Sequence, residues 1–450
     1  ELNDPGFGLD YHPEKKPTGN SELSRMAGFF GNLNYTYDNR YFADFSVRAD
    51  ASSRFGADKR WAVFWSAGVG YNLHNEVFLK KLEWVSLLRL RASYGVTGGQ
   101  NFNPYQAMTT YRFITDKWYG YGSGAEMLAL GNDDLKWQST VQKNFGLDLG
   151  MWKDRLTLTF NYYHKLSENS LTDVTLPPSL GFPSYKENLG EVVNEGWEFT
   201  FRGFVVKKED FNIMLSVNGA QNNNKLKKIS NSLKAFNEEQ DKQVENKVMA
   251  RYVEGQSLNT IWVVRSLGID PANGKELFLD KNGKRTYDWN ADDYVAEATT
   301  DPRLYGNLGL GIFYRGFSLN TYVNYSLGEK AYNQTLVDRV ENADKHYNCD
   351  RRVLYDRWHK PGDETFFKDV KDASVTRPTS RFVQKNNYLN MTSLNVAYEF
   401  NPRLLEPLRI KYLKLAFYMT DLFRISTMKA ERGLDYPFAR TFTTSLQIRF

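Results

Sequence analysis

Alternation of apolar and polar positions with a period of two runs through most of the chain, and helical periodicity is nearly absent. Phe29, Leu33, Tyr35 and Tyr37 alternate with Phe30, Asn32, Asn34 and Thr36. After Asp38-Asn39-Arg40, Tyr41, Ala43, Phe45 and Val47 alternate with Phe42, Asp44, Ser46 and Arg48. Residues flanking a hairpin turn face the same side, and Tyr37 and Tyr41 both belong to the apolar set. A second pair runs Phe145, Leu147, Leu149, Met151, then Trp152-Lys153-Asp154-Arg155, then Leu156, Leu158, Phe160, Tyr162. A third runs Leu308, Leu310, Ile312, Tyr314, the turn Arg315-Gly316, then Phe317, Leu319, Thr321, Val323, Tyr325. The register closes in all three, which predicts an antiparallel up-and-down topology. Further strands are expected at Trp197–Arg202, Phe211–Gly219, Leu394–Phe400 and Tyr412–Met419. The chain also ends on a strand, with Phe442, Leu446, Ile448 and Phe450 on one face.

These turns are short, but residues 98–138, 164–190, 221–260, 268–303 and 327–380 form long polar connections rich in Asn, Asp, Gly and Lys. Aromatics gather beside the short turns: Tyr35, Tyr37, Tyr41, Trp152, Tyr314, Phe317, Tyr398 and Phe400. Short turns at one rim, long loops at the other and an aromatic girdle are the marks of an outer-membrane barrel. The expected fold class is therefore all-β, an antiparallel up-and-down transmembrane β-barrel, here with roughly 14 to 16 strands of about 10 residues. A soluble all-β protein with its apolar stripe on a core explains the alternation equally well, but not the one-sided loops.

Composition sharpens this picture. In 450 residues, 58 basic and 53 acidic side chains leave a net charge of +5 with no basic block, so nucleic acid is not an implied partner. No run of 18 apolar residues exists to make a membrane-crossing helix, but a barrel strand needs only about 9–11 residues. The single cysteine, Cys349, excludes an internal disulfide and a multi-thiolate metal site. The chain begins at Glu1 with no initiator Met and no leader pattern, so it is expected to be processed or a piece of something longer.

Few residues point to chemistry. His12, His74, His164, His346 and His359 show no metal-ligand spacing, so no metal is expected. Gly120–Gly124 (GYGSG) lacks the Gly two positions before Ser123 that a nucleophile elbow needs. DPANG (270–274) and DKNGK (280–284) read as turns; calcium in such a loop is the one cofactor these residue types admit. Neither a catalytic residue nor an enzymatic activity is expected. The long loops do offer binding chemistry: Trp118, Tyr119 and Tyr121 in one, Tyr287, Trp289 and Tyr294 in another, among Asn, Asp and Lys. Aromatic faces beside hydrogen-bonding groups suit sugar rings and extended peptides. The same residues would also serve to pack the loops against one another or against a partner.

Longer blocks carry a resemblance. RADASSRFGADKRWAVFWSAGVGYNL (48–73), LRLRASYGVTGGQN (88–101) and LKWQSTVQKNFGLDLGMWKDRLTLTFNYY (135–163) are followed by LGEVVNEGWEF (189–199), TDPRLYGNLG (300–309), HKPGDET (359–365), RFVQKNNYLNMTSLNVAYEF (381–400) and GLDYPFARTFTTSLQIRF (433–450). Their order resembles the C-terminal part of the SusC/RagA-like TonB-dependent transporters of the Bacteroidetes outer membrane, with Gly99 where Asn is usual and Gln138 where an acidic residue is usual. The resemblance implies a 22-stranded barrel whose plug, TonB-contacting segment and first strands are missing from this chain. It implies import of oligosaccharides or peptides with a SusD-like surface lipoprotein and the TonB complex. The alternative is a passive pore or a structural barrel fragment. The terminal aromatic face (Phe442, Leu446, Ile448, Phe450) resembles the signal read by the barrel-assembly machinery.

Overall fold

The computed structural model describes residues 22–450 except 57–58, 101–103, 106, 121, 130, 133–134, 170, 176–183, 189, 230, 243–245, 345 and 430–439. Its main element is a 14-stranded antiparallel sheet in which each long strand pairs with its neighbours in chain order. The strands are β1 (Met26–Tyr37), β2 (Tyr41–Ser52), β3 (Trp61–Asn72), β4 (Val85–Gly99), β5 (Gln138–Met151), β6 (Leu156–Glu168) and β7 (Glu191–Lys207). They continue with β8 (Phe211–Lys228), β9 (Leu304–Tyr314), β10 (Phe317–Leu327), β11 (Tyr388–Glu399), β12 (Tyr412–Thr420) and β13 (Phe442–Arg449). A short strand, Arg424–Ser426, adds to the upper end of β11.

The hairpin registers are those the alternation dictates. Tyr37 lies opposite Tyr41, Met151 opposite Leu156 and Tyr314 opposite Phe317. Positive φ at Asp38 and Asn39, at Trp152 to Asp154, and at Arg315 (45°) and Gly316 (87°) closes these turns. The left-handed pair at 315–316 gives a two-residue turn whose twist matches the strands it joins.

Pairing carries one face across the sheet. Leu88 faces Leu149, Leu149 faces Leu158, Leu158 faces Phe201, Phe201 faces Val217 and Val217 faces Leu308. A one-residue slip anywhere would expose this band to the polar side, so the pattern itself fixes the register. Opposite it lies a face of Asn, Ser, Asp, Arg and Gly that forms the lumen wall. Trp84 and Trp152, with centroids 6.4 Å apart, join the aromatics at the short-turn rim.

The long connections hold secondary structure of their own. Residues 98–138 contain a hairpin of Thr110–Tyr119 with Gly122–Ala129. In 164–190, β6 continues to Glu168, and Leu171–Thr175 pairs with Ser184–Asn188. β8 continues into 221–260 as far as Lys228, followed by a helix at Asn231–Lys242. Polar residues do not end a strand whose neighbour extends alongside it: Val193, Asn194 and Glu195 remain paired with Lys225, Asn224 and Asn223. Between 260 and 299 a separate four-stranded sheet forms, built from Thr260–Ile269, Glu276–Leu279, Arg285–Thr286 and Tyr294–Thr299. Beside it, Leu336, Val337, Val340, Val353, Phe367 and Phe382 make an apolar core of their own.

The sheet order ends at β1 and β13, and among the described residues these two do not pair. A strand edge in hydrocarbon leaves backbone groups without partners, so both edges need further strands in the membrane.

Candidate functional site: lumen wall and extracellular recesses

Alternation places every second residue of each wall strand inward, and on β4 to β7 polar and charged members of that set are joined by hydrogen bonds. Arg91 Nε and Nη2 donate to the two oxygens of Asp148 at 2.8 and 3.0 Å, and Nη2 also donates to Asn161 Oδ1 at 3.1 Å. Asn161 Nδ2 in turn donates to Glu198 Oε1 at 3.2 Å, so one ladder crosses four strands. Nearby, Phe42 lies flat over β3 with Arg89 above its ring at 5.5 Å. A Cβ on Gly70 would come within 1.7 Å of that ring, which is why glycine stands there.

At the extracellular end of the wall a recess of about 470 Å³ is lined by Gln221 to Lys225 of β8 together with Gln256, Ser257, Asp301 and Arg303. Its amides are held by one another. Asn222 Nδ2 and Asn224 Nδ2 both donate to Asn194 Oδ1, at 3.2 and 2.9 Å, and Tyr163 donates its hydroxyl to Asn222 Oδ1 at 3.0 Å. Asp301 accepts from Ser257 Oγ, Thr299 Oγ1 and Asn259 Nδ2, so its charge closes the loop rather than facing the recess.

The loop domain carries a second recess of about 700 Å³, lined among others by Tyr287, Asp288, Trp289, Lys368, Asp372 and Arg377. Beneath it lies a buried ionic triad: Arg381 Nη2 donates to Glu276 Oε2 and Glu341 Oε1, both at 2.7 Å. Burial opposes the charge on Arg381, but the attraction of the two carboxylates outweighs it and holds the guanidinium pKa above its ordinary value. Lys368, buried at the recess floor, donates to Ser374 Oγ at 3.1 Å, and burial pushes its ammonium pKa down.

Of the aromatic candidates, Tyr287 and Trp289 line this recess. Tyr287 is exposed, and its hydroxyl donates to Asp270 Oδ2 at 2.5 Å, which lowers the Asp270 carboxyl pKa. Trp289 is largely committed to structure: its Nε1 donates to Pro378 O at 3.1 Å and Arg377 covers one face at 4.9 Å. Tyr294 meets the Trp289 ring edge-on at 5.7 Å. Trp118 and Tyr119 lie on the separate hairpin with side chains outside the described residues, and Tyr121 falls outside them altogether. Phe442, Leu446 and Ile448 lie on β13, and Phe450 follows its end. In the two Asp/Asn loops, Asp270 accepts from Ala272 N, and Asp280 from Asn282 N and Lys284 N, the bonding of tight turns.

Sequence reasoning missed the Glu276–Arg381–Glu341 triad, because its members are scattered along the chain. It also missed a clasp between two of the quoted blocks. Phe55 stacks on Trp137 at 4.4 Å, Trp137 Nε1 donates to Arg60 O at 2.9 Å, and Leu135 and Ala107 complete the buried cluster. Trp137→Phe keeps most of the stacking but removes the indole N–H bond to Arg60 O, which is left with its bond from Ser52 N at 3.2 Å. It is expected to cost about 0.5–1.5 kcal/mol, read as a lower temperature for loss of heat-modifiable migration on gels.

A sheet with one continuous apolar face, an inner polar face, an aromatic girdle and loops elaborated at one rim defines the wall of an outer-membrane β-barrel. The chain belongs to the family described as TonB dependent receptor-like, beta-barrel, whose sequence model matches residues 3–344. Among its relatives, TonB-dependent receptor SusC of Bacteroides thetaiotaomicron is 28% identical, across 97% of this chain and 45% of its own length. TonB-dependent receptor P3 of Formosa agariphila is 26% identical, across 97% of this chain and 46% of its own. The chain thus spans about half the length of these relatives. The structure of the RagAB peptide transporter superposes with a TM-score of 0.83 at 24% identity, covering 96% of this chain and 48% of that one, which establishes the shared fold.

Proposed function

We propose that the protein to which this chain belongs is a TonB-dependent importer of oligosaccharides or peptides, working with a SusD-like surface lipoprotein. The observation that carries the reading is the two-faced wall: an unbroken apolar exterior around a hydrogen-bonded polar interior, topped by ordered loops that hold two recesses. Residues outside this chain supply the strands that cover the edges at β1 and β13, the plug and its contact with TonB. The SusC and RagAB likenesses support the reading, as does the placement of Tyr287 and Trp289 at a recess mouth, where substrate or lid would touch them. Trp118, Tyr119 and Tyr121 are assigned the same role.

The test is growth of a deletion strain on a panel of glycans and peptides as sole nutrients. Loss of growth on one class is expected, restored by the full-length gene and abolished again when TonB is depleted. Growth that persists without TonB makes the barrel a passive pore. Unaltered growth on every nutrient sinks import.

A further inference from the structure

The lumen wall is divided by charge. β9 (Leu304–Tyr314) and β10 (Phe317–Leu327) contain no Asp, Glu, Lys or Arg, nor does β8 from Phe211 to Asn224 or β11 from Tyr388 to Tyr398. The other long sector differs: Asp44, Arg48 and Asp50 point inward on β2, Arg89 and Arg91 on β4, Asp148 on β5, and Glu198 and Arg202 on β7. β1 and β3 are also neutral, but they flank the inward charges of β2, and on the far side of the neutral sector Lys414 of β12 and Arg449 of β13 are again in the inward set.

We propose that the neutral sector, β8 to β11, is the track along which a neutral, hydroxyl-bearing oligosaccharide moves through the lumen. This deepens the import reading above and rests on it.

The inward face of this sector carries amides and phenols in place of charges. Asn307, Asn320 and Asn324 occupy successive inward positions, Asn307 opposite Asn324 and Asn320 opposite Gly311. Asn390 and Asn395, one strand on, continue the row, opposite Asn324 and Asn320. Beside them, Tyr305 and Tyr322 point inward and remain 40% and 46% exposed, and the Tyr322 ring lies against Gly309. The recess at Asn222 and Asn224 continues the same face at its extracellular end, where Lys225, Asp301 and Arg303 join the lining above the neutral sector.

An amide both donates and accepts, as does each sugar hydroxyl, and an accessible phenol ring stacks on the apolar face of a pyranose. A chain that must slide needs many weak, similar contacts, because one strong contact would hold it in place. Ion pairs are such contacts, and this sector has none to offer. A peptide, with charged termini and side chains, would find no counter-charge along it and would lose hydration on entering.

The test uses the full-length protein in its own outer membrane and measures uptake of linear glucan, mannan and fructan oligosaccharides and of mixed peptides. The Asn307→Asp/Asn320→Asp variant places two charges on the track with almost no change of shape. It is expected to lower the uptake rate of a neutral oligosaccharide about tenfold. Asn144→Asp, on the charged sector, is expected to leave the rate unchanged, and heat-modifiable migration confirms that all variants assemble. Wild-type oligosaccharide uptake in the double variant overturns the proposal, as does a wild-type protein that takes up peptides and no oligosaccharide; in both cases import stands. A deletion strain unaffected on every substrate overturns the import reading, and this inference with it.

Discussion

Replacing Arg381 by methionine is expected to unfold the extracellular loop domain while the strand wall stays in the membrane. The Arg381 side chain is only 4% exposed. Besides its two bonds at 2.7 Å it donates Nε to Glu276 Oε1 at 3.1 Å and Nη1 to Phe366 O at 2.5 Å, and it lies over the Phe382 ring at 4.5 Å. Methionine fills much of that volume but leaves Glu276 and Glu341 buried without the cation that both of them bind. Removing one partner of a buried ionic cluster costs about 3–5 kcal/mol, enough to melt a small core centred on Phe382, Val337 and Val340. The measurement is limited proteolysis of intact outer membranes, with new cleavage expected within 330–380 and an unchanged heat-modifiable band. The triple variant Glu276→Gln/Glu341→Gln/Arg381→Met should recover part of the resistance, because the two carboxylates that Arg381 neutralised are then uncharged; recovery is partial because Arg357 and Lys368, which Glu341 also attracts, stay buried. Wild-type resistance in Arg381→Met would show that the triad does not hold the domain.

The wall was legible in the sequence because each of its strands separates lipid from lumen. Tyr37 with Tyr41, Met151 with Leu156 and Tyr314 with Phe317 follow from parity alone once the turns are recognised. The loop domain was not legible by that route. Its central strand begins Thr260-Ile261-Trp262-Val263-Val264, apolar without alternation, because both faces are covered: Val263 and Val264 are fully buried. Such a run does not distinguish a buried strand from a helix. The triad beneath it joins positions 276, 341 and 381, which no local spacing relates. Trp289 shows a further limit, since composition marks it as a binding residue while the structure spends its indole N–H and one ring face on Pro378 and Arg377. The quoted blocks also acquire a physical meaning. Phe55 and Trp137 stack across two of them, Asp301 closes a loop in a third, and in a fourth Asp363 accepts from the backbone of His359 and Lys360. The blocks around Phe55, Trp137 and Asp301 mark junctions where the chain leaves or rejoins the wall, whereas the one around Asp363 shapes a turn inside the loop domain.

The last strand supports a prediction in which lipid energetics and recognition give opposite rankings. β13 pairs with β12 along one edge, with Ile448 opposite Leu413, Leu446 opposite Leu415 and Phe442 opposite Met419, all in the outward set. Phe450 follows directly, 75% exposed, at the end where Lys411 N donates to Arg449 O beside the short-turn rim. That rim lies at the membrane interface, where a charged substitution costs about 0–1 kcal/mol, whereas Lys or Arg at the bilayer midplane costs about 2–4 kcal/mol and Asp somewhat less. If lipid alone judged the strand, Leu446→Asp would impair assembly far more than Phe450→Asp. On the proposal that the aromatic at this strand end is read by the assembly machinery before the strand meets lipid, we predict that Phe450→Asp, or a charged tag placed after Phe450, reduces assembled barrel at least as severely as Leu446→Asp. Quantifying heat-modifiable barrel in outer membranes for the two substitutions decides the matter. A normal level in Phe450→Asp alongside a deficit in Leu446→Asp would remove the recognition role and leave the terminal aromatic as one more member of the girdle.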